Sequence, residues 1–351
     1  MSVIVTVVSM PELTVTRTDI AEARTRLATD HFVLVDVELP EEAQPGTPQH
    51  ETQARTPQQD RMEGQRQAPQ ETESLAAQLG LDAASLDWFG RAGEPARAEY
   101  RKEGTGLIVP VVHEDQIIHI HAVVTERFLA TTHRGHAYLA RTITDVLRHE
   151  RPTDPVAVLF LLLGEALGTY RQAAVQALLE TEELEDDMFE KRSPEQVYRL
   201  AQLRRHSALL HHSLRPFLEV TDQILTRRMT SPNFPEERQR LAREFQTSGR
   251  LVLADIESLQ EATRRAFASY SSLIAGEQNG VINRLAIVSV VFLPLSFLTG
   301  FFGMNFTFLT DKLESKDEFW LLAVGLQVLV LFASLYILHR TRIWRSLREN
   351  E

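Results

Sequence analysis

The 351-residue chain contains no cysteine, which excludes disulfide bonds and thiolate metal sites. Any metal ion that it binds must therefore use oxygen or imidazole ligands. The chain also has no excess of basic residues, since its formal net charge is −11. This argues against a nucleic-acid partner, because phosphates are bound by basic side chains. The amino-terminal stretch lacks a basic segment and breaks its apolar run at Pro11, so we expect a first strand in the cytoplasm instead of a signal peptide.

Charged residues are missing from two long stretches near the carboxyl end, residues 285–306 and 319–338. Each stretch is long enough to cross a hydrocarbon core of about 30 Å as a helix. Two buried core helices are the alternative, but the basic tail at 339–351 favours two transmembrane helices. Since Arg284 precedes the first stretch and arginines follow the second, both termini are expected in the cytoplasm.

The soluble part is predicted to be an α+β domain over residues 1–234. Strand-like runs occupy 31–39, 106–115, 116–126 and 127–133, and the middle two form a hairpin at His113–Asp115. Long helices follow from Asp154, one of them with Ser193 as its cap and Pro194 at its first position. Residues 41–73 are rich in Gln, Pro, Glu and Thr, and we interpret them as a disordered insertion.

A single helix is predicted to leave the soluble domain and enter the bilayer. From Pro235 the helical pattern continues without a proline until Pro294, so residues 235–284 form a stalk that runs into the first span, 285–306. A net acidic loop at 307–318 then faces the outside, and the second span follows at 319–338.

One face of this helix carries a stripe of mostly small or polar residues, while the other faces are bulky. The stripe contains Asn279, Ile282, Ala286, Ser289, Leu293, Ser296, Gly300 and Gly303. Ordinary helix packing is one explanation, because small residues let helices approach closely. The other is a pore: two spans cannot enclose a pathway alone, so several copies would surround an axis with this stripe inward. Its glycine-rich outer end would then offer carbonyl and amide oxygens as a cation filter.

The motif FFGMNF at 301–306, which closes the first of two carboxyl-terminal spans, resembles the hallmark of the CorA family of divalent-cation channels. The whole segment 277–306 is similar to the pore helix of that family, including Asn279, Pro294 and Gly300. Residues 75–89 and 180–190 also resemble CorA segments. The similarity leaves only the 41–73 insertion unmatched.

The resemblance implies a funnel-shaped homopentamer in the inner membrane, with a cytoplasmic αβα domain, a long stalk helix and a two-helix transmembrane region. The family transports Mg2+, and often Co2+ or Ni2+, while the ZntB-like branch transports Zn2+. No organic cofactor is implied. The selectivity filter would consist of Gly303, Met304 and Asn305. The pore-lining residues would be Asn279, Ile282, Leu285, Ser289, Leu293, Ser296 and Gly300, with Ile282, Leu285 and Leu293 as the gating constriction.

The chain departs from the family pattern around the triplet. Family members often have Tyr before it and a Met-Pro-Glu-Leu element after it, whereas here Phe302 precedes it and TFLTDKLESKDE follows. The acidic residues of this loop either concentrate cations or merely face water. They are Asp311, Glu314, Asp317 and Glu318.

Two further features bear on the metal. The resemblance places Glu244 where the family can hold a regulatory Mg2+ between subunits, whereas the carboxylates at 182–187 are predicted to be a solvated helix face. The chain has 12 histidines, and His119 with His121 on one strand, or His211 with His212 on a helix, are candidate zinc ligands. A surface role is the favoured interpretation of these histidines.

Zn2+ transport therefore stays an alternative, and a membrane-tethered sensor or scaffold is a second one. We expect no enzyme activity, because no nucleophile–base set or phosphate-binding glycine loop is found.

Overall fold

The computed structural model describes residues 4–9, 14–29, 32–39, 98–100, 104–113, 115–134, 147, 149–150, 152, 154–229, 234–304, 317 and 319–340. The chain consists of two compact units, Met1–Ala266 and Phe267–Glu351. The proposed insertion at 41–73 and the CorA-like segment at 75–89 lie outside the described residues.

The described part of the first unit contains a seven-stranded mixed sheet. Its order is β2-β1-β3-β7-β6-β5-β4, and β3 pairs with β7 in parallel while the other neighbours are antiparallel. The strands are β1 Ile4–Ser9, β2 Thr14–Thr18, β3 Val33–Leu39, β4 Ala98–Tyr100, β5 Thr105–His113, β6 Gln116–Val124 and β7 Phe128–Arg134. The predicted hairpin is confirmed, since His113 pairs with Gln116. Its turn residue Asp115 has a φ of 63°, which Asp tolerates better than most residues.

Helices cover both faces of this sheet. On one face, the valines of β1 and β3 form a core with Val123 and Ala130, and Ala23 of α1 (Ile20–Thr29) packs into it. On the other face, Val109 and Ile120 lie against Leu159 and Leu162 of α2 (Pro155–Glu190). The alternation of side chains along each strand thus produces two apolar faces and an αβα layering.

The first unit also contains two long helices and the first part of a third, and local signals define where the first two begin. Asp154 caps α2, because its carboxylate accepts a hydrogen bond from the Ala157 N–H at 2.8 Å. The predicted start of α3 (Pro194–Met229) is confirmed, and Gln196 accepts a hydrogen bond from the Ser193 N–H, as in a capping box. The helix α4 extends from Glu236 to Phe302. Phe217 of α3 and Phe245 of α4 pack edge to face with ring centroids 6.1 Å apart.

Three elements were not predicted from the sequence. The strand β4 has only three residues, β2 is largely exposed, and the sequence of α1 is polar. Their hydrophobic patterns are therefore too short or too weak to indicate a strand or a helix.

The described part of the second unit contains the end of α4, π-helical turns at Phe319–Gly325 and the helix α5 at Leu326–Arg340. Of the described helices, α4 has the length and apolar composition needed to cross a bilayer, and α5 is apolar but shorter. The second transmembrane span and the domain boundaries stay predictions.

Candidate ion pore

The residues predicted to line a pore all lie on α4 and are all exposed in the single chain. We call this set the pore face; it consists of Asn279, Ile282, Leu285, Ser289, Leu293, Ser296 and Gly300. Its large apolar members, Ile282, Leu285 and Leu293, are 61%, 67% and 70% exposed. Contiguous apolar exposure of this kind marks a surface that lipid or protein covers.

A second set of α4 residues, the shielded face, is half-buried at the same helical spacing. It consists of Asn283, Ile287, Val291, Pro294, Leu298 and Phe302. At 3.6 residues per turn, the shielded face lies on the opposite side of α4 from the pore face. The chain therefore covers one side of this helix and leaves the predicted pore side uncovered.

Two hydroxyl groups on or beside the pore face donate to carbonyls of their own helix. Ser289 Oγ donates to the Leu285 carbonyl at 2.8 Å, and Thr299 Oγ1 donates to the Leu295 carbonyl at 2.7 Å. A hydroxyl that donates its proton to the backbone keeps its lone pairs for another partner. At Ser289 such an oxygen suits a hydrated cation.

The outer end of the pore face leads into the predicted filter. The helix α4 ends at Phe302, after which the Gly303 N–H donates to the Thr299 carbonyl at 3.0 Å and the Met304 N–H donates to the Phe301 carbonyl at 3.3 Å. Gly303 and Met304 are exposed, and Asn305 lies outside the described residues. A Cβ atom at position 303 would lie 3.1 Å from the Thr299 oxygen, so glycine allows this close turn.

Only two of the carboxylates predicted to attract or sense cations, Asp317 and Glu244, lie among the described residues. Asp317 is exposed, while Asp311, Glu314 and Glu318 lie outside the described residues. Glu244 is exposed on α4, where its Oε1 lies 2.9 Å from Arg240 Nη1. A regulatory ion at Glu244 would therefore have to displace this ion pair.

The surface interpretation of the histidines holds for His212, which is exposed, but not for all four. His121 is 5% exposed, so that interpretation is wrong for this residue: it lies on β6, a central strand between β5 and β7 with both faces of the sheet covered. Burial also lowers the pKa of His119. On α3, His211 Nε2 lies 3.9 Å from Glu257 Oε1. Within the described ranges, no three His, Asp or Glu side chains come together to hold a metal ion.

A buried polar cluster in the sheet was not predicted. Thr131 Oγ1 donates to Asp36 Oδ1 at 2.6 Å, and His133 Nε2 lies 3.3 Å from Asp36 Oδ2. All three residues are at most 5% exposed. Alternating polar residues on β3 and β7 were a possible signal, but the parallel pairing of these distant strands cannot be read from the sequence.

Arg238 forms a second unpredicted cluster, at the start of α4. Its guanidinium binds both carboxylate oxygens of Glu126 at 2.9 and 2.6 Å, and its Nε donates to Asp154 Oδ2 at 3.0 Å. Arg238 thereby ties α4 to the β6–β7 turn and to the cap of α2. These hydrogen bonds hold the pKa of Glu126 below its usual value and raise the pKa of Arg238.

The second unit holds one more feature that sequence reasoning missed. Gln327 of α5 donates from Nε2 to Thr299 Oγ1 of α4 at 3.4 Å. The available signal was a primary amide in an otherwise apolar stretch, since polar groups in such segments need a partner.

Comparison with known proteins places this arrangement in a family. Residues 63–340 match the family model described as "CorA-like Mg2+ transporter protein". The zinc transport protein ZntB of Yersinia enterocolitica is 25% identical over 260 residues, which cover 71% of this chain and 78% of that protein. The cobalt/magnesium transport protein CorA of Thermotoga maritima is 26% identical over 132 residues, or 38% of this chain and 37% of that protein.

A solved structure shows the same fold over nearly the full length. The CorA magnesium transporter from Methanocaldococcus jannaschii superposes with a TM-score of 0.72 at 17% identity, covering 97% of this chain and 98% of that one. The family match extends over most of the sequence and includes the pore face, Gly303, Met304 and Asn305. The chain therefore belongs to the family of CorA-like Mg2+ transporter proteins, which transport divalent cations.

Proposed function

We propose that several copies of this chain form a divalent-cation channel in which the pore face of α4 surrounds a central axis. The observation that carries this proposal is the position of the pore face opposite the shielded face. Lipid would cover Leu285 and Leu293 equally well, but it offers no hydrogen-bond partner to Ser296. A water-filled pathway between copies accommodates both kinds of residue.

The assembly we propose is a homopentamer in the inner membrane with both termini in the cytoplasm. The second span is residues 319–338, and the basic tail follows it on the cytoplasmic side. A potential that is negative inside favours cation entry by about 2.3 kcal/mol per charge per 100 mV, and by twice that for a divalent ion. Transport is therefore passive uptake.

Each part of the pore has a separate role in this proposal. Gly303, Met304 and Asn305 form the outer filter, where neutral carbonyl and amide oxygens contact the hydration shell of the ion. Such ligands suit Mg2+, which loses its bound water reluctantly. Ile282, Leu285 and Leu293 form the apolar constriction, which closes the pathway by excluding water.

Our first proposal is that the transported ion is Mg2+, with Co2+ and Ni2+ as further substrates. Zn2+ is the second candidate, and a specific observation favours it: the zinc transport protein of Yersinia enterocolitica matches a larger share of this chain than the CorA protein of Thermotoga maritima does. The tethered sensor or scaffold does not explain this family match.

Ion flux into liposomes tests the proposal. Purified full-length protein is reconstituted with an internal Mg2+-sensitive or Zn2+-sensitive dye under an inside-negative potential. We expect flux of at least one ion in the native protein, its loss in Asn305→Ala, and native flux in Ser248→Ala, a control on an exposed residue of the first unit.

Each other outcome identifies the part that fails. Equal flux in native protein and Asn305→Ala would remove the filter assignment. Flux of neither ion would overturn transport and favour the tether. The ratio of the two dye signals decides between Mg2+ and Zn2+.

A further inference from the structure

The amide of Gln327 is unusual in its surroundings. Between Phe319 and Leu338 the sequence contains no charge and a single primary amide, which has Leu326 and Val328 as its neighbours. A primary amide in an apolar medium is unfavourable unless it forms hydrogen bonds. Gln327 Nε2 donates to Thr299 Oγ1 across the two helices at 3.4 Å. The amide is therefore directed at one specific residue of α4.

Thr299 also forms a backbone hydrogen bond with Gly303, the first residue of the predicted filter. Its hydroxyl donates to the Leu295 carbonyl at 2.7 Å, which leaves its lone pairs for the Gln327 amide. Its own carbonyl accepts the Gly303 N–H at 3.0 Å. Gln327, Thr299 and Gly303 thus form a continuous connection from α5 to the first residue of the Gly-Met-Asn triplet.

The geometry of Thr299 makes this connection stiff. The hydrogen bond to the Leu295 carbonyl holds the Thr299 hydroxyl in one rotamer. At 3.6 residues per turn, position 299 lies between the pore face and the shielded face of α4. A hydrogen bond at this position resists rotation of the helix end about its own axis, and such rotation would change the direction of the Gly303 carbonyl.

We propose that Gln327 is a positioning residue for ion selection. It holds the outer end of α4 in one rotation through Thr299, and thereby sets the direction of the filter carbonyls. The proposal rests on the proposed function, because it assumes that the triplet selects the ion. Gln327 itself does not contact the ion.

Paired substitutions in the full-length protein test this role. Gln327→Met keeps the length of the side chain and removes the amide, while Thr299→Val keeps the shape and removes the hydroxyl. Thr299→Ser keeps the hydroxyl and serves as the conservative variant at this position. Ser334→Ala, at a buried serine of the same helix, is the matched control. The measurement is the ratio of Mg2+ to Zn2+ flux in liposomes, with oligomer size measured by light scattering.

We expect Gln327→Met and Thr299→Val each to change the flux ratio by about threefold to tenfold, the range of one interhelical hydrogen bond in a membrane. The double variant should change it no further than the larger single change, because both remove the same contact. Thr299→Ser and Ser334→Ala should keep the native ratio.

Other results separate the two proposals. A native ratio in both Gln327→Met and Thr299→Val, together with lost flux in Asn305→Ala, would overturn the positioning role and leave the channel intact. Additive effects in the double variant would also overturn it. If Gln327→Met does not assemble, Thr299→Val tests the same contact from the other helix. Absence of flux in the native protein would instead remove the proposed function.

Discussion

The two parts of α4 place their apolar side chains in opposite environments. Before Ala266, Phe245, Ile256 and Leu259 are at most 4% exposed, and most polar residues of this part are exposed. After Phe267, Leu285, Leu293 and Phe297 are 67–70% exposed. Folding in water buries apolar surface, so the first part follows the ordinary rule. The second part departs from it, as the proposed pore helix requires, since contiguous apolar exposure marks a surface that lipid or protein covers.

The two parts also differ in how polar groups are used. The first unit contains ion pairs between its elements, such as Arg238 with Glu126 and Asp154, and Arg171 with Asp255 at 3.6 Å. The described contacts of the second unit include the neutral pair Gln327–Thr299. Charges are tolerated where water screens them and are expensive in hydrocarbon, so a neutral pair is the kind of contact expected in the proposed membrane region.

The largest effect is expected at the Arg238 cluster. Arg238→Met removes the partner of Asp154, whose side chain is mostly buried. Breaking such a pair costs about 3–5 kcal/mol, with the lower end expected because Glu126 is 70% exposed. Thermal unfolding of the full-length protein in detergent should show a lower Tm. Arg243→Met, at an exposed position, should leave the Tm unchanged.

Truncation of apolar residues tests the comparison directly. Ile256→Ala should cost about 2–5 kcal/mol of stability in the first unit, because this fully buried side chain leaves a cavity. Leu285→Ala should leave that unfolding transition in place and instead change ion flux. Equal destabilisation by both variants would mean that the two parts of α4 do not differ in environment.

Substitution by lysine in each part of α4 provides the next test. Phe297→Lys should oppose membrane insertion by about 2.5–3.5 kcal/mol, as for a lysine at the centre of a span. Ser248→Lys lies at an exposed position of the first part and should change stability by less than about 0.5 kcal/mol. Membrane fractionation of the expressed proteins measures the difference. Normal insertion of Phe297→Lys would argue against a lipid environment at this position.

The smallest expected effect concerns pH. Arg238 lowers the pKa of Glu126 from its ordinary value of 4.5, so protonation of this group favours the unfolded chain. The stabilisation is present above pH 4.5 and is lost as the pH falls through the lowered folded-state pKa. Glu126→Gln should therefore reduce the decrease in Tm between pH 5 and pH 3. The effect is small because solvent screens Glu126. If the Tm of Glu126→Gln decreases as much as the native Tm does, the ion pair contributes nothing to this pH dependence.

The sequence predicted those elements whose pattern is long and strong. The uninterrupted helix into the apolar stretch, the β5–β6 hairpin and the start of α3 are all confirmed. The strands β2 and β4 and the helix α1 were missed because their patterns are short or polar. His121 was misjudged because alternation indicates two faces of a strand but not whether both are covered.

By itself, the sequence determined the family, the helical register of the pore face and the Gly-Met-Asn triplet at its end, because all three depend on spacing along a single helix. The tertiary structure decided which side of α4 the chain shields, and it brought Gln327 to Thr299 and Arg238 to Glu126 and Asp154. These pairs join residues that are far apart in the chain. Their contacts depend on how whole elements pack, and no local pattern encodes that.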